Sequence, residues 1–129
     1  MTANRFNFRA YILKEKYMVD VEILHPEYIL AYDGKTYSLD NVNNSKNYIL
    51  MQSTGLTDKN GKEIYDLDIL TDGSVKYLVR FEKEKACFIM KPILDGKILL
   101  KDYEELSKRY MHYYEIIGNI YENKELLKS

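Results

Sequence analysis

The feature that most constrains the fold of this chain is a set of four pairs in which Asp or Asn precedes Gly. Tight hairpin turns need backbone conformations with positive φ, which Gly adopts freely and which Asp and Asn tolerate. Two of the pairs lie between apolar stretches and are expected to reverse the direction of the chain, namely Asn60-Gly61 and Asp72-Gly73. The other two pairs are Asp33-Gly34 and Asp95-Gly96.

Apolar residues alternate with other residues in three stretches beside these turns. A period of two places one side of a strand against a core and the other side in water. Thirteen tyrosines and four phenylalanines suit such strands, because aromatic residues favour β-structure. The sequence therefore predicts a mainly β protein. The stretches are Phe6, Phe8, Ala10 and Ile12; Tyr17, Val19, Val21 and Ile23; and Val75, Tyr77, Val79 and Phe81.

The length of the chain, 129 residues, favours a single domain that spans residues 1–129. Within it, residues 1–60 and 61–129 are candidate sub-structures. Short strands joined by tight turns favour a small, strongly bent barrel of SH3-like type in the second half. We expect the N-terminal hairpins to pack against this barrel.

One short helix is predicted near residues 102–110. Asp102 is a residue type that caps helix N-termini, and Tyr103, Leu106 and Tyr110 share one face at helical spacing. Outside this segment, the pattern predicts strands and turns.

Charge and composition exclude several classes of protein. The formal net charge of -1 removes the global electrostatic argument for binding polyanions or anionic membranes. No stretch approaches the roughly 18 apolar residues that indicate a membrane helix.

The single cysteine, Cys87, cannot form an intramolecular disulfide, and its neighbours predict a largely buried strand position. Gly118, between two isoleucines, predicts a bulge or a close backbone approach.

Residues with catalytic or metal-binding spacing are not apparent. The two histidines, His25 and His112, have no ligand spacing to another His or Cys, so we expect no metal and no cofactor. No catalytic residue is assigned. Asp66 and Asp68 lie on one face of a predicted strand and are able in principle to share a proton, which leaves an enzyme using acidic residues as one alternative.

A second alternative is a single-stranded nucleic-acid-binding protein. The tyrosine-rich region near residue 110 also contains Lys101, Lys108 and Arg109, and aromatic rings beside cations form stacking platforms for bases. Core packing explains most of these tyrosines, so this alternative is not favoured.

Residues 5–11, 51–70 and 116–127 are the most distinctive segments of the chain. They resemble the YopX family of small phage and prophage proteins, and the resemblance spans essentially the whole chain. Where family members tend to have an aromatic residue, often Trp, this chain has Tyr11; where they have Glu-Gly it has Asp66-Leu67; where they have Pro it has Lys124. The resemblance implies a mainly β protein of a phage or prophage, in the cytoplasm of a bacterial host, and implies no established activity. The segments are residues 5–11 (RFNFRAY), 51–70 (MQSTGLTDKNGKEIYDLDIL) and 116–127 (IIGNIYENKELL).

Polar residues at the matching positions that have no obvious duty in a core are candidate binding residues. We therefore expect an accessory protein that acts by binding a protein, either a second copy of itself or a host or phage protein. Self-association as a dimer or closed ring is expected, because a short chain with many strands leaves sheet edges and aromatic surface to cover. The candidate binding residues are Arg9, Gln52, Asp58, Lys59, Tyr65, Asp68 and Asn119.

Overall fold

The computed structural model describes residues 7–38, 47–99, 103–107 and 111–127. Within these ranges the protein is mainly β, as the sequence predicts, and its strands pair in antiparallel fashion. The chain divides into two compact units, Met1–Gln52 (unit 1) and Ser53–Ser129 (unit 2). The strands of unit 1 are β1 (Phe8–Ile12), β2 (Tyr17–Leu24), β3 (Tyr28–Ala31), β4 (Thr36–Ser38) and the first half of β5 (Tyr48–Thr57).

The strand order of unit 1 is β4-β3-β2-β1-β5, in which β1 to β4 form a meander and β5 returns to pair with β1. The predicted core face is confirmed along β1 and β2, where Ala10, Ile12, Val19 and Val21 are all buried. The other face of β1 is not fully exposed, since Tyr11 is also buried, and Phe6 lies outside the described residues. Ile23 breaks the pattern, because the pairing register shifts between Val21 and Ile23 and the side chain of Ile23 is 48% exposed. A bulge changes the face on which later residues of a strand lie. The core also contains Ile29, Ala31 and Tyr48.

Unit 2 contains one sheet in the order β10-β9-β8-β7-β12, and β11 also pairs with β9. The second half of β5 pairs with β6. Two short 3₁₀ turns lie in the C-terminal part, at Met111–Tyr113 and Lys124–Leu127. The remaining strands are β6 (Glu63–Tyr65), β7 (Asp68–Thr71), β8 (Lys76–Glu82), β9 (Cys87–Leu94), β10 (Lys97–Ile98), β11 (Glu104–Glu105) and β12 (Glu115–Asn119).

Both faces of the sheet in unit 2 bury apolar side chains, so the alternation predicted along Val75, Tyr77, Val79 and Phe81 is only partly confirmed. Tyr77 and Val79 are buried as predicted, but Leu78 on the other face is buried too and Phe81 is 43% exposed. Side chains on β7, β8 and β9 alternate between two clusters, since successive residues of a strand point to opposite faces. One cluster contains Ile64, Leu70, Tyr77, Val79, Met90, Met111 and Tyr114. The other contains Ile69, Leu78 and Ile93, against which Ile98, Ile117, Ile120, Leu126 and Leu127 pack.

The predicted turns are confirmed at both positions. Asn60-Gly61 lies between β5 and β6, and Asp72-Gly73 lies between β7 and β8, each joining antiparallel strands. Asp95-Gly96 joins β9 to β10 with φ of 53° and 75°, so both residues adopt the positive φ that a type I′ turn requires.

The predicted helix near residues 102–110 is wrong where the structure describes the chain. Glu104–Glu105 form β11, opposite Met90 and Ile89 of β9. The backbone N–H of Leu106 then donates to the carbonyl oxygen of Phe88. A helix of two to three turns is marginal by itself, so pairing with an existing strand outweighs its propensity. Of the predicted residues, Asp102 and Tyr110 lie outside the described ranges.

Two further expectations meet a different outcome. The SH3-like barrel is not confirmed, because the described strands form an open order in which β10 and β12 do not pair. Cys87 begins β9 and is only partly buried, because it pairs with Glu82 at the end of β8. No helix among the described residues is long and apolar enough to cross a membrane.

Gly118 confirms the predicted bulge and close approach. The pairing of β12 with β7 shifts register between Ile116 and Gly118. A Cβ at position 118 would lie 2.6 Å from Cγ of Asn123 and 2.8 Å from Cδ1 of Leu126. The C-terminal segment therefore packs closely onto this glycine, a contact that a larger residue prevents.

Candidate functional site

The seven predicted binding residues are divided between the two units, two in unit 1 and five in unit 2. Arg9 lies on β1 opposite Asp20 and Met51, and Gln52 is exposed at the end of unit 1 opposite Phe8. The other five lie in unit 2, in two separate places. Asp58 and Lys59 belong to the loop after β5, whereas Tyr65, Asp68 and Asn119 lie where β6, β7 and β12 meet.

Asp58 is a buried carboxylate that holds a loop to β12. Its Oδ1 accepts hydrogen bonds from the backbone N–H groups of Asn60 and Lys62, both at 2.9 Å, and its Oδ2 accepts one from Ile116 at 2.9 Å. Burial alone would raise its pKa, but these three hydrogen bonds and the charge of Lys62 lower the pKa below its ordinary value. Asp58 is therefore an ionised structural group, and we call this arrangement the Asp58 clamp.

Lys59 extends the Asp58 clamp. Its backbone N–H donates to the carbonyl oxygen of Tyr114 at 2.9 Å, and its Nζ lies 3.9 Å from a carboxylate oxygen of Glu115. A shallow groove of about 330 Å³ passes this loop and also contacts Met111 and His112. The ammonium of Lys59 is half exposed, so it is one of the predicted residues that a ligand can reach.

Asp68 and Asn119 are register partners of β7 and β12. Asp68 is 1% exposed, and its Oδ2 accepts the backbone N–H of Tyr65 at 2.8 Å. Asn119 is also buried, and its Oδ1 accepts the backbone N–H groups of Tyr121 and Glu122 at 3.0 and 2.9 Å. Both side chains organise turns, and burial of Asp68 prevents a substrate from reaching it.

The sequence did not predict a further cleft in unit 2. It has a volume of about 710 Å³, and tyrosine rings and carboxylates form its walls. The turn between β7 and β8, strand β11 and the 3₁₀ turn before β12 bring these residues together. We call it the tyrosine–carboxylate cleft, and it is lined by Asp72, Ser74, Glu104, Glu105, Tyr113 and Tyr114.

Tyr114 anchors the wall of this cleft. Its ring is buried and meets the ring of Tyr77 edge to face with centroids 5.6 Å apart, and its hydroxyl donates to Oε2 of Glu104 at 3.2 Å. Burial first, and then the negative charge of Glu104, raise the pKa of Tyr114 to about 12. Burial, then Asp72 and Glu104, also raise the pKa of Tyr77. The carboxylates therefore create a negative potential that both phenols experience.

Asp72 is held in place by the turn that it begins. Its Oδ1 accepts the backbone N–H groups of Ser74 and Val75 at 2.8 and 2.9 Å, and these bonds lower its pKa below the ordinary value. The carboxylate is therefore ionised and fixed at the mouth of the cleft. Tyr113, by contrast, is 62% exposed and presents its ring to solvent beside His112.

The chemistry of the cleft suits a cationic side chain better than a metal ion. None of the described lining residues carries a positive charge. Across residues 7–38, 47–99, 103–107 and 111–127, no three His, Cys, Asp or Glu side chains converge closely enough to hold a metal. Tyr103, which precedes Glu104 in the chain, has Nζ of Lys85 4.8 Å from its ring centroid, so one ammonium of this chain already lies against an aromatic ring.

Sequence reasoning missed this cleft because it assigned Glu104 and Glu105 to a helix. The structure instead pairs both residues with β9 and places them in the lining of the cleft. The available signal was the composition of two short segments, an acidic pair and the Tyr113-Tyr114 pair. Nothing in the sequence indicates that they meet.

Comparison with known proteins supports a family assignment. A family model with the description "YopX protein" matches residues 7–128. The chain is also similar to a solved structure entitled "Crystal structure of protein EF1440 from Enterococcus faecalis", with a TM-score of 0.68, 28% sequence identity, and coverage of 98% of this chain and 100% of that chain. A comparison with curated proteins finds no match.

Proposed function

The chain belongs to the YopX family, and from that premise and the geometry of unit 2 we propose that it is an accessory protein of a phage or prophage that binds a protein partner. The observation that carries the proposal is the tyrosine–carboxylate cleft, in which Asp72, Glu104 and Glu105 surround two tyrosines. We expect the protein to act in the cytoplasm of a bacterial host, as the family resemblance implies.

The partner supplies a Lys or Arg side chain to the cleft. A cation gains charge-assisted hydrogen bonds from carboxylates and stacks on an exposed aromatic face such as that of Tyr113. The same carboxylates repel the phosphates of a nucleic acid at this surface. The ring of Tyr103, which belongs to the aromatic region of the nucleic-acid alternative, is already covered on one side by Lys85.

The expected affinity for one cationic side chain follows from these contacts. Hydrogen bonds to charged groups contribute about 1.5–3 kcal/mol each and an exposed cation–π contact about 0.5–1 kcal/mol. One cationic side chain is therefore expected to bind with a dissociation constant on the order of 1 mM, which corresponds to about −4 kcal/mol. A longer partner surface adds to this value.

The test is an NMR titration of the ¹⁵N-labelled chain with an acetylated and amidated Gly-Arg-Gly-Arg-Gly peptide. We expect shift changes at the backbone amides of residues 72–74, 104–105 and 113–114. The matched peptide with citrulline in place of arginine has nearly the same shape without the charge, and we expect no change. If neither peptide at about 10 mM shifts these amides, the cleft does not bind cations and the proposal fails.

Two double variants test whether binding depends on the charges of the cleft itself. Replacing Glu104 and Glu105 with Gln removes two charges but keeps acceptor atoms, and we expect binding at least about fivefold weaker. Replacing Asp20 with Asn and Glu22 with Gln removes the same charge from exposed positions of β2 in unit 1, and we expect no effect. Equal weakening by both pairs would indicate unspecific attraction and would contradict the proposal.

A further inference from the structure

Unit 2 carries a second concave surface whose charge differs from that of the cleft. This groove of about 460 Å³ is formed by β8, the turn after it, β9 and β10. Arg80 and Lys83 are exposed in it, and Phe81 is 43% exposed. With Lys91 it has three cations against the two carboxylates of Glu82 and Glu84, and we call it the basic groove. Its remaining lining residues are Leu78 and Ile98.

The basic groove and the tyrosine–carboxylate cleft lie on opposite faces of the sheet. Leu78 of β8 lies opposite Lys91 of β9, so both side chains point to the groove side. Tyr77, the neighbour of Leu78, points to the other face, where its ring meets Tyr114 of the cleft. One copy of the chain is therefore unable to bring its own groove into its own cleft.

We propose that the partner of the cleft is a second copy of this chain, which inserts cationic side chains of its basic groove. This inference rests on the proposed function of the cleft and names the partner of that site. Arg80 and Lys83 provide the exposed cations. The net charge of only -1 makes long-range repulsion between copies weak.

A contact between two different surfaces is heterologous. Each copy joined in this way still presents one free cleft and one free groove, so the assembly closes as a ring or continues to grow. The contact is exposed to solvent and depends on charge, so it weakens as salt screens the pairs. We expect it to appear at protein concentrations on the order of 0.1–1 mM in low salt.

Two copies could also associate by pairing a strand with the edge of β12, but at the described positions this edge is partly blocked. The N–H of Ile116 is bonded to Oδ2 of Asp58, and the N–H of Asn119 is bonded to Oδ1 of Asn123 at 3.1 Å. These side-chain oxygens occupy donors that another strand would need. Association through faces is therefore favoured over association through this edge.

Two variants and their mixture test the inference by sedimentation equilibrium. The cleft variant has Glu104→Gln and Glu105→Gln, and the groove variant has Arg80→Gln and Lys83→Gln. We expect the average mass of the wild type to rise above 15.3 kDa with concentration, and each variant alone to stay at 15.3 kDa. In an equimolar mixture the intact groove of one variant meets the intact cleft of the other, so the mass rises but stops at twice 15.3 kDa.

Control variants remove the same charges elsewhere. The acidic control has Asp20→Asn and Glu22→Gln, the basic control has Lys14→Gln and Lys35→Gln, and all four residues are exposed in unit 1. Both controls are expected to associate like the wild type. Circular dichroism spectra that match the wild type exclude misfolding as the cause of a change in any variant.

Three results would overturn the inference: a wild type that stays at 15.3 kDa at about 1 mM, variants that still associate alone, or a mixture that does not exceed 15.3 kDa. A monomeric wild type whose cleft nevertheless binds the arginine peptide leaves the proposed function standing and removes only this inference. Binding of a labelled 20-nucleotide oligothymidine by the monomer, with loss in the groove variant, would identify the groove as a nucleic-acid surface and contradict self-association.

Discussion

Replacing Asp58 tests how much one buried carboxylate contributes to the stability of unit 2. Its two oxygens accept three backbone N–H groups, from Asn60, Lys62 and Ile116. Asp58→Ala leaves these donors without an acceptor in a buried place, where each unsatisfied group costs about 1–3 kcal/mol. Because the loop relaxes and admits water to some of them, we expect a total loss of about 3–5 kcal/mol of unfolding free energy. This is a large part of the stability of a small domain.

Asp58→Asn removes the charge of the side chain but nearly keeps its shape. The amide oxygen is able to replace Oδ1 and keep the bonds to Asn60 and Lys62, but the amide nitrogen then faces the N–H of Ile116, which is also a donor. We expect a loss of about 2–3 kcal/mol, less than for Ala. The matched control is Asp95→Asn, the same chemical change in an exposed turn, for which we expect less than about 0.5 kcal/mol.

The pH dependence of this loss has a definite sign. The folded pKa of Asp58 lies below its ordinary value, so the ionised carboxylate stabilises the folded state at pH values above the unfolded pKa of about 3.9. That contribution disappears as the pH falls through the folded pKa. The difference between wild type and Asp58→Asn is therefore largest near neutral pH and shrinks below about pH 4.

Urea unfolding followed by circular dichroism between pH 3 and pH 7 measures these quantities. Equal m-values for wild type and variants would show that the difference lies in stability. A neutral-pH loss under 1 kcal/mol for Asp58→Ala, or a loss that grows towards acid pH, would contradict the role assigned to this carboxylate.

Substitutions at three other positions test local features of unit 2. Leu67 is buried at φ 72°, so Leu67→Gly is expected to be about 1 kcal/mol more stable than Leu67→Ala in urea unfolding, the reverse of the usual order. Gly118→Ala forces a Cβ against Asn123 and Leu126 and should cost about 1–3 kcal/mol, whereas an unchanged melting temperature would show that the segment yields freely. Lys76→Met removes the 2.7 Å bond from Nζ to the carbonyl oxygen of Leu126, for which we expect about 1–2 kcal/mol and faster hydrogen exchange in residues 124–127.

The parts of the fold that were predictable depend on local information. Alternation along β1 and β2 predicts which side chains are buried, because the two faces of a strand follow directly from residue parity. Turn chemistry predicts the reversals at Asn60-Gly61 and Asp72-Gly73, because the φ requirement is a property of the residues themselves. The exposed end of β2 was not predictable, since the bulge before Ile23 depends on pairing with β3.

The errors have a common physical origin in contacts between distant parts of the chain. Residues 103–107 have a helical pattern, but β9 offers Glu104 and Glu105 an unpaired edge. Asp58 was predicted to be a binding residue, yet its side chain is buried and its bond to Ile116 joins positions 58 residues apart. Such contacts are decided by packing, and a local pattern carries no information about them.

The three segments that resemble the family contain structural residues, whereas the proposed binding surfaces lie elsewhere. The Asp58 clamp, the buried Asp68 and the turn at Asn119 all fall within residues 51–70 or 116–127. The lining residues of the cleft fall between those segments, on the turn after β7, on β11 and before β12.

Those segments supply strand pairs and turns of unit 2, whereas the residues that line the cleft lie outside them. Similarity to a protein at 28% identity over the whole chain is therefore stronger evidence for the fold than for the identity of the partner. The partner must be identified from the charges of this chain's own cleft and groove. The mixture of cleft and groove variants examines those charges directly, because it recovers association only if the two surfaces recognise each other.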